Sequence, residues 1–220
     1  MTIYLGDCRE IIPSLAEVAA VVTDPPYGQG YTSGYATDEL WAAGRKITND
    51  HSTDARDEML SLVDAPALVF GSRKIPEPAA TRMFLTWDKG PALGMGAIDL
   101  PWKPSSEEIY VIGKGFDGPR DESNVLYCPP VQSMAKNGRV HPNEKPIALL
   151  QRLIRKCPQG IILDPFMGSG STGVASVKMG RPFIGIEIEP KYFEIARKRI
   201  SEAVRQIDMF LPPYARSSPQ

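Results

Sequence analysis

The chain has 220 residues, 42% hydrophobic and 23% charged, with 25 Lys and Arg against 26 Asp and Glu for a formal net charge of -1. Those proportions belong to one globular domain with a sizeable core and exclude a chain disordered throughout, while the balanced charge neither announces nor excludes a polyanionic partner. No apolar run approaches the roughly 20 residues that span a bilayer. Met1 to Asp7 lack the pattern of a secretory signal, and three scattered cysteines (Cys8, Cys128, Cys157) suit a reducing compartment. A cytoplasmic protein with no membrane partner is expected.

In chain order, apolar and β-branched runs predict strands at Thr2 to Leu5, Ala19 to Thr23, Ala67 to Phe70, Arg82 to Trp87, Glu108 to Ile112, Ile161 to Leu163 and Phe183 to Ile186. Helical patterns fall at Arg9 to Ala16, Asp54 to Val63, Pro146 to Cys157, Thr172 to Met179 and Lys191 to Ile207. Several strands are apolar without alternation, as in a sheet covered on both faces. An α/β fold with a mostly parallel sheet and helices on both faces follows. Residues 28–53 are too long for an ordinary connection and read as an active-site loop. Residues 113–140 carry scattered Gly and Pro with little periodicity, and the tail 209–220 reads as a flexible terminus, leaving 1–208 as a single domain.

Two motifs carry chemistry. The first, Asp24-Pro25-Pro26-Tyr27, follows a predicted strand, and ligands of open α/β sheets gather at the carboxyl ends of strands. Two prolines fix their own φ and remove two backbone donors, leaving carbonyls able to accept hydrogen bonds. Asp24 and the Pro25 carbonyl can each accept one N–H of an exocyclic amine on a planar base, with Tyr27 stacked on its ring. A plain strand-ending turn accounts for the same residues equally well.

The second motif runs from Ile161 to Gly173, a strand entering Asp164-Pro165-Phe166-Met167-Gly168-Ser169-Gly170-Ser171-Thr172-Gly173 and then a helix. Gly168, Gly170 and Gly173 have the G-x-G-x-x-G spacing that lets backbone approach a ligand at a helix N-terminus. A second strand then delivers Glu187, 19 residues beyond Gly168, where an acid can bind ribose hydroxyls; Glu189 is the alternative. No Lys follows the glycines, which disfavours a P-loop. A dinucleotide site and a tight strand-to-helix turn both remain open readings of this segment alone.

Together, a nucleoside cofactor site and an amine-acceptor site describe methyl transfer from S-adenosylmethionine. The sequence resembles the β-class DNA amino-methyltransferases, in which Asp-Pro-Pro-Tyr precedes the cofactor motif Asp-Pro-Phe-x-Gly-Ser-Gly-Ser/Thr. The resemblance covers about residues 2 to 205 and implies a Rossmann-like methyltransferase fold with permuted motif order. It also implies S-adenosylmethionine as cofactor, S-adenosylhomocysteine as product, no metal, and DNA as partner. The implied catalytic residues are Asp24, Pro25, Pro26 and Tyr27; the implied cofactor residues are Asp164, Pro165, Phe166, Gly168, Ser169, Gly170, Ser171, Thr172 and Glu187.

Smaller matches extend it. Gly6-Asp7 resembles the family's N-terminal Gly-Asp on the adenine side of the cofactor, although Asp7 is an equally good helix N-cap. His141-Pro142-Asn143-Glu144-Lys145-Pro146 resembles His-Pro-x-x-Lys-Pro, which implies that His141 and Lys145 lie beside the cofactor. Trp87-Asp88-Lys89 resembles a Trp-x-Lys segment near the target base, and the loop with Tyr31, Tyr35 and Trp41 resembles small phage and prophage members.

Six basic residues from Lys136 to Lys156 face one acid, Glu144, which on charge alone reads slightly better as a solvated helix face; with the resemblance, Lys136, Arg139, Arg152 and Arg155, together with Lys89, are expected to contact DNA. Asp at position 24 resembles adenine-directed members, so N6 of adenine is the expected target. N4 of cytosine is the nearest rival, followed by a catalytically idle module of the same fold and a dinucleotide-dependent oxidoreductase. Residues 113–140 are the candidate target-recognition region; being short, they imply loose recognition, a short target site, or completion by a homodimer partner or a specificity-completing subunit.

Overall fold

A computed structural model describes residues 1–26, 52–91, 99, 101–131 and 144–210, with side chains as far as 207. Its elements are β1 (Thr2–Leu5), α1 (Cys8–Ile11), β2 (Ala20–Thr23), α2 (Asp54–Ser61), β3 (Ala67–Gly71), β4 (Thr81–Asp88) and β5 (Ser106–Ile112), followed by β6 (Val125–Tyr127), α3 (Ile147–Ile154), β7 (Ile162–Asp164), α4 (Ser171–Lys178), β8 (Phe183–Glu187) and α5 (Pro190–Phe210). The active-site loop as far as His51 and the tail from Leu211 lie outside the described residues.

One eight-stranded sheet runs in the order β1-β8-β7-β2-β3-β5-β4-β6. Pairings from β1 across to β3 are parallel; β5 is antiparallel to both β3 and β4, and β4 pairs in parallel with β6. Alternate side chains of the central strands enter opposite cores. Ala20 and Val22 of β2, with Leu68 and Phe70 of β3, pack against Leu149 and Leu153 of α3, Ala175 of α4 and Ala196 and Ile200 of α5. Val21, Ala67 and Val69 point the other way, against Cys8, Ile12 and Met59 from the α1 and α2 side. Strands buried on both faces cannot alternate apolar with polar, which is why they read as continuous apolar runs.

The expected strands and helices form within a few residues, with two instructive differences. The first helix stops at Ile11 and continues only as a 3-10 turn, Ile12–Ser14. Pro13 has no N–H to donate back into a helix started at Cys8. The second difference is β6, which falls inside the stretch expected to be irregular. Three residues are too few to show a period, and the strand exists because β4 offers it an edge: Thr86 N–H donates to Asn124 O (2.7 Å) and Cys128 N–H to Asp88 O (2.9 Å).

The connectivity opens a crevice in the middle of the sheet. The chain leaves β2 toward β3 on one side and leaves β7 toward β8 on the other, although β2 and β7 are neighbours. Loops departing in opposite directions leave the carboxyl ends of these two strands uncovered, the usual binding crevice of an open α/β sheet. Asp24 follows β2 directly, and Asp164 ends β7.

Candidate active site

The two motifs meet at this crevice. Thr23, the last residue of β2, donates its hydroxyl to Asp164 Oδ1 at 2.7 Å, 141 residues away in sequence. Asp164 Oδ1 also accepts the Phe166 N–H at 3.2 Å, and the Thr172 hydroxyl bonds the same carboxylate. Burial pushes the Asp164 carboxyl up to about 6, against the pull of those hydrogen bonds. Asp164 is therefore a brace: it fixes the end of β7, the turn after it and the first turn of α4 to the end of β2.

Within the turn each glycine answers to a different neighbour. Gly168 has φ 53°, and a Cβ there would find nothing closer than Phe166 O at 4.0 Å, so the backbone faces open space. Gly170 (φ 82°) lies under α5, where a Cβ would stand 2.9 Å from Ala196 Cβ, and one on Gly173 would stand 2.5 Å from Ile200 Cδ1. The second and third glycines serve the packing of α4 on α5; the first serves the crevice. Gly170 at the α4 N-cap has no side chain to satisfy the leading N–H groups of that helix, which leaves donors for a ligand.

Glu187, at the end of β8, accepts Gly168 N–H at 2.7 Å through Oε2 and Glu189 N–H at 2.8 Å through Oε1. Burial raises its pKa against these bonds. With the Ile188 N–H as a third donor, the carboxylate as a whole still has acceptor capacity for a ribose hydroxyl. Pro165 is buried and Phe166 half-buried beside it. Ser169 and Ser171 are held from behind by Arg199 of α5, which donates to Ser169 O (2.7 Å) and Ser169 Oγ (2.8 Å), lies 3.4 Å from Ser171 Oγ, and forms an ion pair with Glu144. An open glycine, uncapped N–H groups and a carboxylate suit the charged and hydroxyl-bearing ends of a nucleoside cofactor.

Lys145 is bonded at the Asp24 corner of the crevice. Its ammonium lies 2.8 Å from Asp24 Oδ2 and 3.4 Å from Glu107 Oε2, and it stands 4.9 Å over the Phe70 ring. It thus belongs to the amine-acceptor corner. Glu107 in turn lies 3.2 Å from Lys89 Nζ, itself 4.7 Å over the Trp87 ring. Trp87 is core: 2% exposed, edge-on to Phe70, with Nε1 donating to Cys128 O at 2.7 Å.

Asp7, Arg152 and Arg155 all have partners within the chain. Asp7 caps α1, accepting Arg9 N–H at 2.9 Å, and its side-chain bond to the Arg9 guanidinium holds its carboxyl below the usual range; Arg9 also reaches Glu58. Arg152 pairs with Glu122 (2.7 Å) and donates to Tyr127 O (2.7 Å), and Arg155 pairs with Asp121 (2.9 Å). Both arginines, expected at DNA phosphates, are engaged with residues 113–127 of their own chain. Tyr27, Lys136, Arg139 and His141 lie outside the described residues. Thr23, Glu107 and Arg199 join the site without having been singled out in the sequence. Glu107 arrives because β5 is antiparallel, which brings its first residues beside the last residues of the parallel strands.

A sequence model of the DNA methylase family, of N6/N4 type, matches residues 80–198. The type II methyltransferase M2.MboI of Moraxella bovis is 39% identical over 95 residues, which are 42% of this chain and 35% of that protein, so the match spans well under two thirds of its length. The candidate methylase YubD of Escherichia coli (strain K12) is 28% identical over an alignment of 240 positions that covers 96% of this chain and 97% of that one. Among solved structures, a complex of M1.HpyAVI with SAM is 25% identical at a TM-score of 0.64, covering 90% of this chain and 98% of that one. Since the family model runs from the approach to β4 into α5, more than half of the sequence, the chain belongs to the DNA methylase family of N6/N4 type.

Proposed function

We propose that the chain transfers a methyl group from S-adenosylmethionine to N6 of adenine in DNA, acting on a base swung out of the duplex. One observation carries the reading. The Thr23 to Asp164 hydrogen bond sets the Asp24 corner beside the glycine turn at a single crevice, so an amine held by one faces a cofactor held by the other. Gly168, the α4 N-terminus and Glu187 would hold that cofactor. When bound, it supplies a methyl on positively charged sulfur, so that the N–C bond forms as the S–C bond breaks and a neutral thioether leaves.

The chain's own work is to make a weak nucleophile competent. Adenine's amino lone pair is delocalised into the ring. Asp24 and the Pro25 carbonyl each accept one N–H, orient the amine, and stabilise the positive charge that grows on nitrogen as the bond forms. Tyr27 is assigned ring stacking. The methylated nitrogen then sheds one proton to Asp24 or to water.

Asp24→Ala is expected to lower methyl transfer by at least about a thousandfold, with cofactor affinity within about twofold of wild type by calorimetry. Comparable transfer by the variant would defeat the assignment. Labelled S-adenosylmethionine and unmethylated genomic DNA, digested to nucleosides and weighed, test the target: label on adenine is expected, and label on cytosine N4 moves the assignment to the rival. A second copy of the chain or a separate subunit is proposed to complete DNA recognition, because little chain lies between β5 and α3; sedimentation with and without DNA tests this.

A further inference from the structure

The Asp24 corner poses an electrostatic problem. An acceptor that must stabilise growing positive charge already sits 2.8 Å from a buried ammonium, with Lys145 only 6% exposed. If Asp24 were the sole counter-ion, the pair would close on itself and cancel the charge that the amine needs. The structure supplies a second counter-ion. Glu107 lies 3.4 Å from the same nitrogen and is held by Lys89 at 3.2 Å. Asp24, Lys145, Glu107 and Lys89 thus form a row of alternating charge across the ends of β2, β5 and β4.

Glu107 is chosen by strand geometry. It is opposite Trp87 in the β4–β5 register, and its neighbour Glu108 turns to the other face and pairs with Arg73 at 2.6 Å. Burial pushes the Glu107 carboxyl up, but the Lys145 and Lys89 ammonium groups together outweigh it and hold it below the usual range; Lys145, for its part, is held charged by Asp24 and Glu107 despite its burial.

We propose that Glu107 is a positioning residue for methyl transfer: by sharing Lys145 it takes up part of that ammonium's charge and leaves Asp24, though bonded to the lysine, able to accept the substrate amine. An ionised carboxylate offers about four lone-pair directions, so Asp24 can serve Lys145 and an amino N–H together, provided the lysine does not pull it out of line. Glu107 acts through Lys145 and touches neither base nor cofactor. The inference rests on Asp24 being the amine acceptor.

Single-turnover transfer, with cofactor and DNA both saturating, reads this directly. Glu107→Gln is expected to slow the step about tenfold, with cofactor affinity by calorimetry and the DNA KM each within about twofold of wild type. Glu107→Asp, which retains the charge, should recover part of the rate. In a Lys145→Met background the same Glu107→Gln change should alter the rate less than about twofold, because its effect passes through the lysine. If the melting temperature of Glu107→Gln falls by more than about 5 °C, Glu107→Asp alone is compared in the two backgrounds, with the same coupling expected. A Glu107→Gln enzyme as fast as wild type overturns the inference while Asp24→Ala, still inactive, leaves the acceptor assignment standing. An equal loss in both backgrounds makes Glu107 a brace of the fold and also overturns it. Transfer by Asp24→Ala, or none to DNA by wild type, overturns the functional reading and the inference together.

Discussion

At the scale of single residues, the glycine motif separates into one position that opens onto the crevice and others that serve packing. Gly168 needs its φ of 53° and faces open space, whereas a Cβ on Gly173 would overlap Ile200 Cδ1 at 2.5 Å and Phe183 Cε1 at 2.8 Å. Gly168→Ala is therefore expected to lose about 1 to 2 kcal/mol of stability from left-handed strain and also to weaken S-adenosylmethionine binding, since the added methyl points into the crevice. Gly173→Ala should cost about 1 to 3 kcal/mol by overpacking, with cofactor affinity preserved in the folded fraction. Urea titrations and calorimetry on both variants read the two quantities separately. The reverse pattern, with Gly173→Ala alone losing affinity, would show that the third glycine lines the site.

At the scale of elements, helix α3 and the strand-poor stretch before it form one unit. Arg152 and Arg155 of that helix and its end, with Lys156, bind Asp121, Glu122, Pro119 O and Tyr127 O, and so hold β6 and the chain leading to it. These pairs are partly exposed, so solvent screening leaves each of them a small contribution to stability. Arg152→Ala should lower the urea midpoint by a corresponding small amount and leave DNA affinity within about twofold, because its guanidinium is occupied by its own chain. The competing expectation, a phosphate contact, predicts instead a shallower salt dependence by about 0.9 in the slope of log K against log salt. Measuring affinity across a salt series decides between them. On the opposite side of the site, Arg199 of α5 ties the glycine turn to Glu144, next to Lys145, so one helix fixes the segments that carry both halves of the chemistry.

At the scale of the whole molecule, the burial of Asp164 where β2, β7 and α4 meet ties stability to pH. Its native carboxyl, at about 6, lies above the 3.8 of an exposed aspartate, so between those values the native state holds more protons than the unfolded chain. The stability contributed there is fully present below about pH 4 and lost as pH rises through about 6, a change of about 3 kcal/mol. Asp164→Asn keeps acceptor geometry for Thr23 and Phe166 without the titration. Its urea midpoint relative to wild type should therefore rise as pH goes from about 4 to about 7. A constant difference across that range would mean that the carboxyl titrates as it does in the unfolded chain.

Much of this was legible from the amino acids. Continuous apolar runs such as Ala20–Thr23 and Ala67–Gly71 specify strands covered on both faces. Asp24-Pro25-Pro26-Tyr27 and the Asp164 to Gly173 turn carry, by residue type, spacing and order, the resemblance to the DNA methylase family that the sequence model then matches. Local sequence carries these features because each depends on neighbours a few positions apart: the period of burial, the φ limits of Pro and Gly, the groups presented by one turn. What only the tertiary structure decided depends on residues brought together from distant positions. The antiparallel course of β5 puts Glu107 beside Lys145, and the reversal between β2 and β7 sets Thr23 against Asp164, 141 residues on. It also turned Lys145 toward Asp24 and bound Arg152 and Arg155 to their own chain. A lysine or arginine in a sequence announces a charge but not its partner, because the nearest opposite charge is set by the packing of the sheet and helices.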